Sequence, residues 1–200
     1  MDWKPSQGQQ EKFHRSPAFE VLYGGQAGGG KTESLLMEAL RYANVPGYTG
    51  VLFRRTFREL QQPQGLIERS RVEYPILGGL YNDSKFQWRF PAPGTMMAFS
   101  HMEGERDKLK HQSAEYAYIG FDELTTFTET QYLYLFSRAR TTSGVPPRIR
   151  AGTNPGNIGH DWVKRRWGAW LDKRHPNPAE DGIRDRCLSR GLGDVYKRQG

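Results

Sequence analysis

Cysteine is almost missing from these 200 residues: Cys187 stands alone, which excludes an internal disulfide framework and any multi-cysteine zinc site. Such usage fits a reducing, cytosolic setting. Long apolar runs are missing too, each broken after a few residues by Gly, Arg or Asp, and the mean hydropathy is -0.78. A membrane span takes roughly 20 apolar residues, so none is expected. Met1 to Gln10 is polar and contains no apolar core of a secretory signal. The histidines, His14, His101, His111, His160 and His175, have no close pairwise spacing of the zinc-ligand kind and read as surface residues. No internal repeat and no long low-complexity tract occurs.

Positive charge, in contrast, is in excess. Lys and Arg number 29 against 22 Asp and Glu, giving a net charge of +7 and a sequence pI near 9.6. This balance suits a polyanionic partner such as nucleic acid, and equally a basic face that is only solvated.

Glycine is concentrated in one place. Phe19 to Tyr23 is a β-prone run that stops at Gly24, Gly25, Gly28, Gly29 and Gly30, and from Glu33 to Ala43 helix formers place Leu36, Met37, Leu40 and Ala43 at helical spacing. Between strand and helix, Gly25, Gln26, Ala27, Gly28, Gly29, Gly30, Lys31 and Thr32 match G-x-x-x-x-G-K-[ST] in full. Glycines let backbone N–H groups converge on phosphate oxygens, and the helix presents its positive N-terminal end to the same anion. Lys31 is then predicted to reach the β- and γ-phosphates of ATP and the Thr32 hydroxyl to bind Mg2+.

A second element completes such a site. Tyr116 to Phe121 predicts a buried strand that delivers Asp122 and Glu123 at its end. Adjacent residues there point in different directions, so Asp122 is assigned to Mg2+ and Glu123 to polarising the attacking water as general base. Arg148 to Thr153 predicts a further strand, after which Thr153 and Asn154 are placed to sense the γ-phosphate, although Asn154-Pro155 is also a common turn.

Other elements follow from punctuation. Residues 1–17, rich in Gln, Lys and Pro, form an arm with a helical turn near Gln9 to His14. Gly50 to Arg54 predicts a strand, and Thr56 to Ile67 a helix that Pro63 must end or kink. The strand, loop, helix, strand order at this start predicts a right-handed parallel unit. Lys85 to Phe90 and Thr95 to Ser100 predict a hairpin, and Thr128 to Ala139 a helix capped near Thr126 or Thr128. Lys164, Arg165 and Arg166, interleaved with Trp162, Trp167 and Trp170, make either a helix that faces DNA or another partner or one that packs its Trp residues inward. From about Glu180 the chain resembles translated sequencing-adapter sequence and receives no element, and Cys187 no role.

In this order, Gly25 to Thr32, Leu52 to Leu60, Ile119 to Leu124, Ser137 to Arg140 and Thr153 to Gly156 resemble the large terminase subunit of tailed bacteriophages, over about Pro5 to Trp170. The resemblance implies an ATP-driven motor that moves double-stranded DNA into a procapsid in the cytoplasm of an infected bacterium. Its implied partners are a portal, a small terminase subunit and further copies of itself in a ring. Gly25 to Thr32 then matches the Walker A loop, Asp122 the Walker B acid, Glu123 the catalytic glutamate and Thr153 to Pro155 the coupling motif.

Two departures accompany the match. Gln26, Ala27, Gly28 and Gly29 include no arginine, where many terminases carry one, so the transition-state cation falls to Arg138 or Arg140, or else to Arg54 or Arg55. Each reads equally as a salt-bridge or DNA-phosphate residue. Family members also continue into a nuclease domain with metal-binding acids, which is expected to be missing here. Related ATPases read adenine with an upstream glutamine, but Gln9 and Gln10 are assigned to the polar arm.

The expected fold is a three-layer αβα P-loop NTPase with a mainly parallel central sheet, Walker A and Walker B strands adjacent at its centre. Its divisions are an arm at 1–17, an ATPase domain at 18–170, and from 171 to 200 the start of a linker with a non-native tail. A helicase-like or repair ATPase, and a nucleotide-gated assembly module with little turnover, stay open as alternatives. Glu123 counts against the module, since a binder that does not hydrolyse needs no base.

Overall fold

The computed structural model describes residues 3–24 and 29–168, together with the backbone of 183–186. Short apolar runs make the strands: β1 (Glu20–Gly24), β2 (Thr49–Arg54), β6 (Tyr118–Asp122) and β7 (Arg148–Thr153) are buried along nearly their whole length. Burial on both faces is the signature of a parallel sheet covered by helices. β5 (Thr95–His101) joins them, and β5, β2, β6, β7 and β1 lie side by side in that order, all parallel. β3 (Leu80–Asn82) and β4 (Gln87–Phe90) extend the β5 edge as an antiparallel meander.

Alternation along the strands splits the core in two. Val21, Tyr23, Leu52 and Tyr118 face α1 (Gln9–Arg15), α2 (Lys31–Ala39) and α4 (Leu66–Glu73). Leu22, Val51, Phe53, Ile119, Phe121, Ile149 and Ala151 face α5 (Glu129–Phe136) and α6 (His160–Trp167). The three-layer αβα arrangement is as the sequence predicts. Among the described residues no helix is long and apolar enough to cross a membrane.

Local chemistry sets several boundaries. The predicted Thr56–Ile67 helix divides into α3 (Phe57–Leu60) and α4, with Pro63 in the break and Gln64 at φ 58. Thr56 caps α3 and Thr128 caps α5, each in a reciprocal capping box, with Glu59 and Gln131. In α6, Trp162 and Trp167 are buried while Lys164 and Arg165 face solvent, so the inward-packing reading holds for these two, and Trp170 lies outside the described residues. Arg166 turns in as well and pairs with the buried Glu20, Nε to Oε2 at 2.8 Å.

Two expectations change. The Walker A strand β1 and the Walker B strand β6 are not adjacent, because β7 lies between them and pairs with both. On β7, a Cβ at Gly152 would stand 3.3 Å from Lys31 Cβ and 3.4 Å from Leu35 Cδ1, so glycine eases the close packing of α2 there. Strand β8 (Ile183–Arg186) pairs antiparallel with β1, in the stretch the sequence analysis left without an element. It covers what is otherwise an open sheet edge.

Candidate nucleotide site

The parallel strands end on one rim, and the crevice beyond their carboxyl ends is where open α/β sheets bind ligands. Gly25, Gln26, Ala27 and Gly28 lie outside the described residues. The end of their loop is described. Gly29 accepts a hydrogen bond through its carbonyl from the Tyr23 hydroxyl at 2.7 Å, and Gly30, at φ 67, caps α2 in a left-handed conformation that glycine adopts freely. Gly30 gives α2 no side-chain cap, and the first N–H groups of a helix are a ready site for an anion.

Lys31 and Thr32 open that helix. Lys31 is buried, and burial lowers the pKa of its ammonium, against the opposing pull of Glu123 and Asp122 nearby. The Thr32 hydroxyl donates to Asp122 at 3.2 Å from Oδ1 and 3.3 Å from Oδ2, joining residues 90 positions apart. Asp122 is 3% exposed. Burial raises its pKa, with the Glu123 charge adding to this, while Arg54, the Thr32 bond and Lys31 act the other way. A hydroxyl and one buried carboxylate side by side are hard oxygen ligands. Together with substrate phosphates they suit Mg2+, which is seldom held by an all-protein cage. No group of three or more His, Cys, Asp or Glu able to hold a metal occurs among the described residues.

Glu123 points elsewhere, as its position one residue beyond the strand predicts. Its backbone is left-handed, φ 60 and ψ 60, a conformation that costs a non-glycine residue roughly 1 kcal/mol or more. Asn154 holds both carboxylate oxygens: Nδ2 donates to Oε1 at 2.7 Å and the backbone N–H to Oε2 at 3.3 Å. Thr153 receives the Thr125 N–H at 3.3 Å and donates to the Thr125 hydroxyl at 3.1 Å. The ends of β6 and β7 are therefore one hydrogen-bonded unit. Asn154 acts there as a ligand of Glu123, beyond being a turn former.

Two neighbours were under-read in the sequence. Gln10 is 8% exposed and donates to the Gly30 carbonyl at 3.3 Å, its own Oε1 held by the Ser6 N–H and hydroxyl at 2.8 Å each. It lines a cleft of about 570 Å³ with Lys4, Tyr23, Gly29, Gly30 and Glu33, so it is part of the loop's surroundings rather than of a detached polar arm. Arg54, at the end of β2, places Nε 3.1 Å from Asp122 Oδ2. Its position as the last residue of a buried strand, like that of Asp122, was the available signal. The strand pairing that makes them neighbours was not.

Arg138 and Arg140 are not brought to this cluster. The Arg138 carbonyl accepts the Tyr116 N–H, six residues before Asp122 at the opposite end of β6, roughly 20 Å away at strand spacing. Arg138 donates to the Gln112 carbonyl at 2.6 Å, and Arg140 pairs with Glu115 at 3.0 Å.

A family model described as "Terminase large subunit, T4likevirus-type, N-terminal" matches residues 22–185. No curated protein matches in sequence. Among solved structures, the large terminase from a thermophilic bacteriophage, in complex with ADP, superposes with a TM-score of 0.62 at 15% identity, covering 96% of this chain and 48% of that one. The large terminase ATPase domain of Thermus phage P74-26 gives 0.54 at 16%, covering 98% and 85%, and the HK97 bacteriophage large terminase 0.55 at 11%, covering 99% and 46%. These likenesses are of fold. The chain spans about half the length of the two full-length large terminases.

Proposed function

We propose, from the premise that this chain belongs to the family of T4likevirus-type terminase large-subunit N-terminal domains, that it hydrolyses ATP to drive double-stranded DNA into a phage procapsid. The observation that carries this reading is the contact between Thr32 of the glycine-loop helix and Asp122 of the acid strand, with Lys31 beside them and Glu123 one residue on. Loop amides and Lys31 hold the β- and γ-phosphates, and the Gln10 cleft takes the base. Thr32 and Asp122 would hold Mg2+, which would supply charge neutralisation to the phosphates.

Glu123 orients a water and takes its proton as the water oxygen bonds to the γ-phosphorus. The bond from that phosphorus to the bridging oxygen breaks, and ADP and phosphate leave. Asn154, bonded to Glu123 and directly following β7, links this event to the following loop and α6. The motor works with a portal, a small terminase subunit and other copies of the chain in a ring, in the cytoplasm of the infected bacterium.

Steady-state ATPase activity with Mg2+, with and without duplex DNA, tests the proposal beside Lys31→Ala and Glu123→Gln. Turnover abolished in both variants and raised by DNA in the parent is the expected result. Unchanged turnover in Glu123→Gln would overturn the mechanism.

A further inference from the structure

A phosphoryl-transfer site places a cation on the oxygens where charge develops, and an arginine is the usual supplier. The variable loop positions Gln26, Ala27, Gly28 and Gly29 hold none. Several arginines elsewhere are committed. Arg55 donates to Gln131 and to the Glu103 carbonyl, Arg150 is fully buried against the Ala18 and Phe19 carbonyls, and Arg166 is paired with Glu20. Arg138 and Arg140 sit at the far end of β6.

Arg54 is placed differently. The register of β2 on β6, Phe53 opposite Phe121, sets it level with Asp122. Its Nε and the Thr32 hydroxyl meet on the same carboxylate oxygen, so the guanidinium stands at the phosphate end of the glycine-loop helix. The side chain is 22% exposed, and its contact is an ion pair without the alignment of a hydrogen bond. Resting on the proposed nucleotide reading, we propose that Arg54 is the site's own arginine: it pairs with Asp122 when no nucleotide is bound and moves onto the γ-phosphate when ATP binds. The exchange replaces one anionic partner by another, so the guanidinium is never left without a counter-charge, and Asp122 keeps the Thr32 hydroxyl. A planar fork of donors matches phosphate oxygens as well as carboxylate ones.

Because ADP lacks the γ-phosphate, binding separates this role from general support of the site. Dissociation constants for ATPγS and for ADP, each with Mg2+, are measured for the full chain and for Arg54→Gln and Arg54→Lys. The expected result is ATPγS binding weakened about tenfold in Arg54→Gln and less in Arg54→Lys, with ADP binding changed less than about twofold, and single-turnover hydrolysis slowed about a hundredfold. Equal weakening of both nucleotides, or no weakening of either, overturns the role of Arg54 and leaves the nucleotide site standing. A parent chain that binds neither nucleotide overturns both. Should Arg54→Gln fail to fold, as a thermal melt would reveal, Arg54→Lys carries the comparison, because it keeps the charge beside Asp122 while losing the fork.

Discussion

Glu123 is restrained on two sides, by a left-handed backbone and by two bonds from Asn154. Its amide analogue keeps the shape and removes the proposed base, so Glu123→Gln is expected to lower turnover by about 100-fold or more while ATP binding changes less than about threefold. Equilibrium binding beside initial rates checks this. Away from the site, His111 lies between the Ser100 hydroxyl and Tyr116, edge-on to Phe53, with Lys110, Asp107 and His101 as its charged neighbours. Burial first, then Lys110, pushes its pKa down to about 4. The folded state therefore resists protonation that the unfolded chain accepts near pH 6.5. His111 contributes stability fully present above that pH and lost as pH falls toward 4, on the order of 2 kcal/mol. Urea melts from pH 7 to pH 4 are expected to show a shallower decline in His111→Gln than in the parent.

Among the elements, α5 depends on its cap. Thr128 accepts the Gln131 N–H at 3.2 Å while Gln131 accepts the Thr128 N–H at 3.1 Å and the Arg55 guanidinium at 2.9 Å. Thr128→Ala is expected to cost about 1 kcal/mol in a denaturant melt. Gln131→Ala should cost more, since the buried amide also satisfies the Gly104 carbonyl at 3.0 Å. On β7, Gly152→Val is predicted to force Lys31 and Leu35 outward, weakening nucleotide binding at least tenfold, read by titration with a fluorescent ATP analogue. Much of this was legible locally. The break at Pro63, the Thr128 cap and the acids beyond Phe121 are decided by neighbours in sequence. The place of β7, the Arg54 contact and the Gln10 contact were not, because each depends on which strands and segments pair across long separations.

At the scale of the molecule, the helical layers are pinned to the sheet by buried charge. Glu20 is fully buried between the Tyr132 hydroxyl at 2.5 Å and Arg166, tying β1 to α5 and α6. Glu20→Ala leaves Arg166 without its partner and should destabilise the fold by about 3 kcal/mol, measurable as a shift in urea midpoint. On the other face Glu38 meets His14 at 2.7 Å, Arg41 at 2.8 Å, Arg148 at 3.3 Å and Arg150 at 3.6 Å. Burial pushes its carboxyl up, but the His14 and Arg41 bonds and the Arg150 charge outweigh it, and Glu38 sits below its ordinary value. That cluster grips the start of β7, whose other end carries Thr153 and Asn154. β7 is thus a strut fixed at both ends, by Glu38 at its root and by Glu123 and Thr125 at its tip, so a change of partner at Glu123 is felt first at Asn154 and in the segment that leads on to α6.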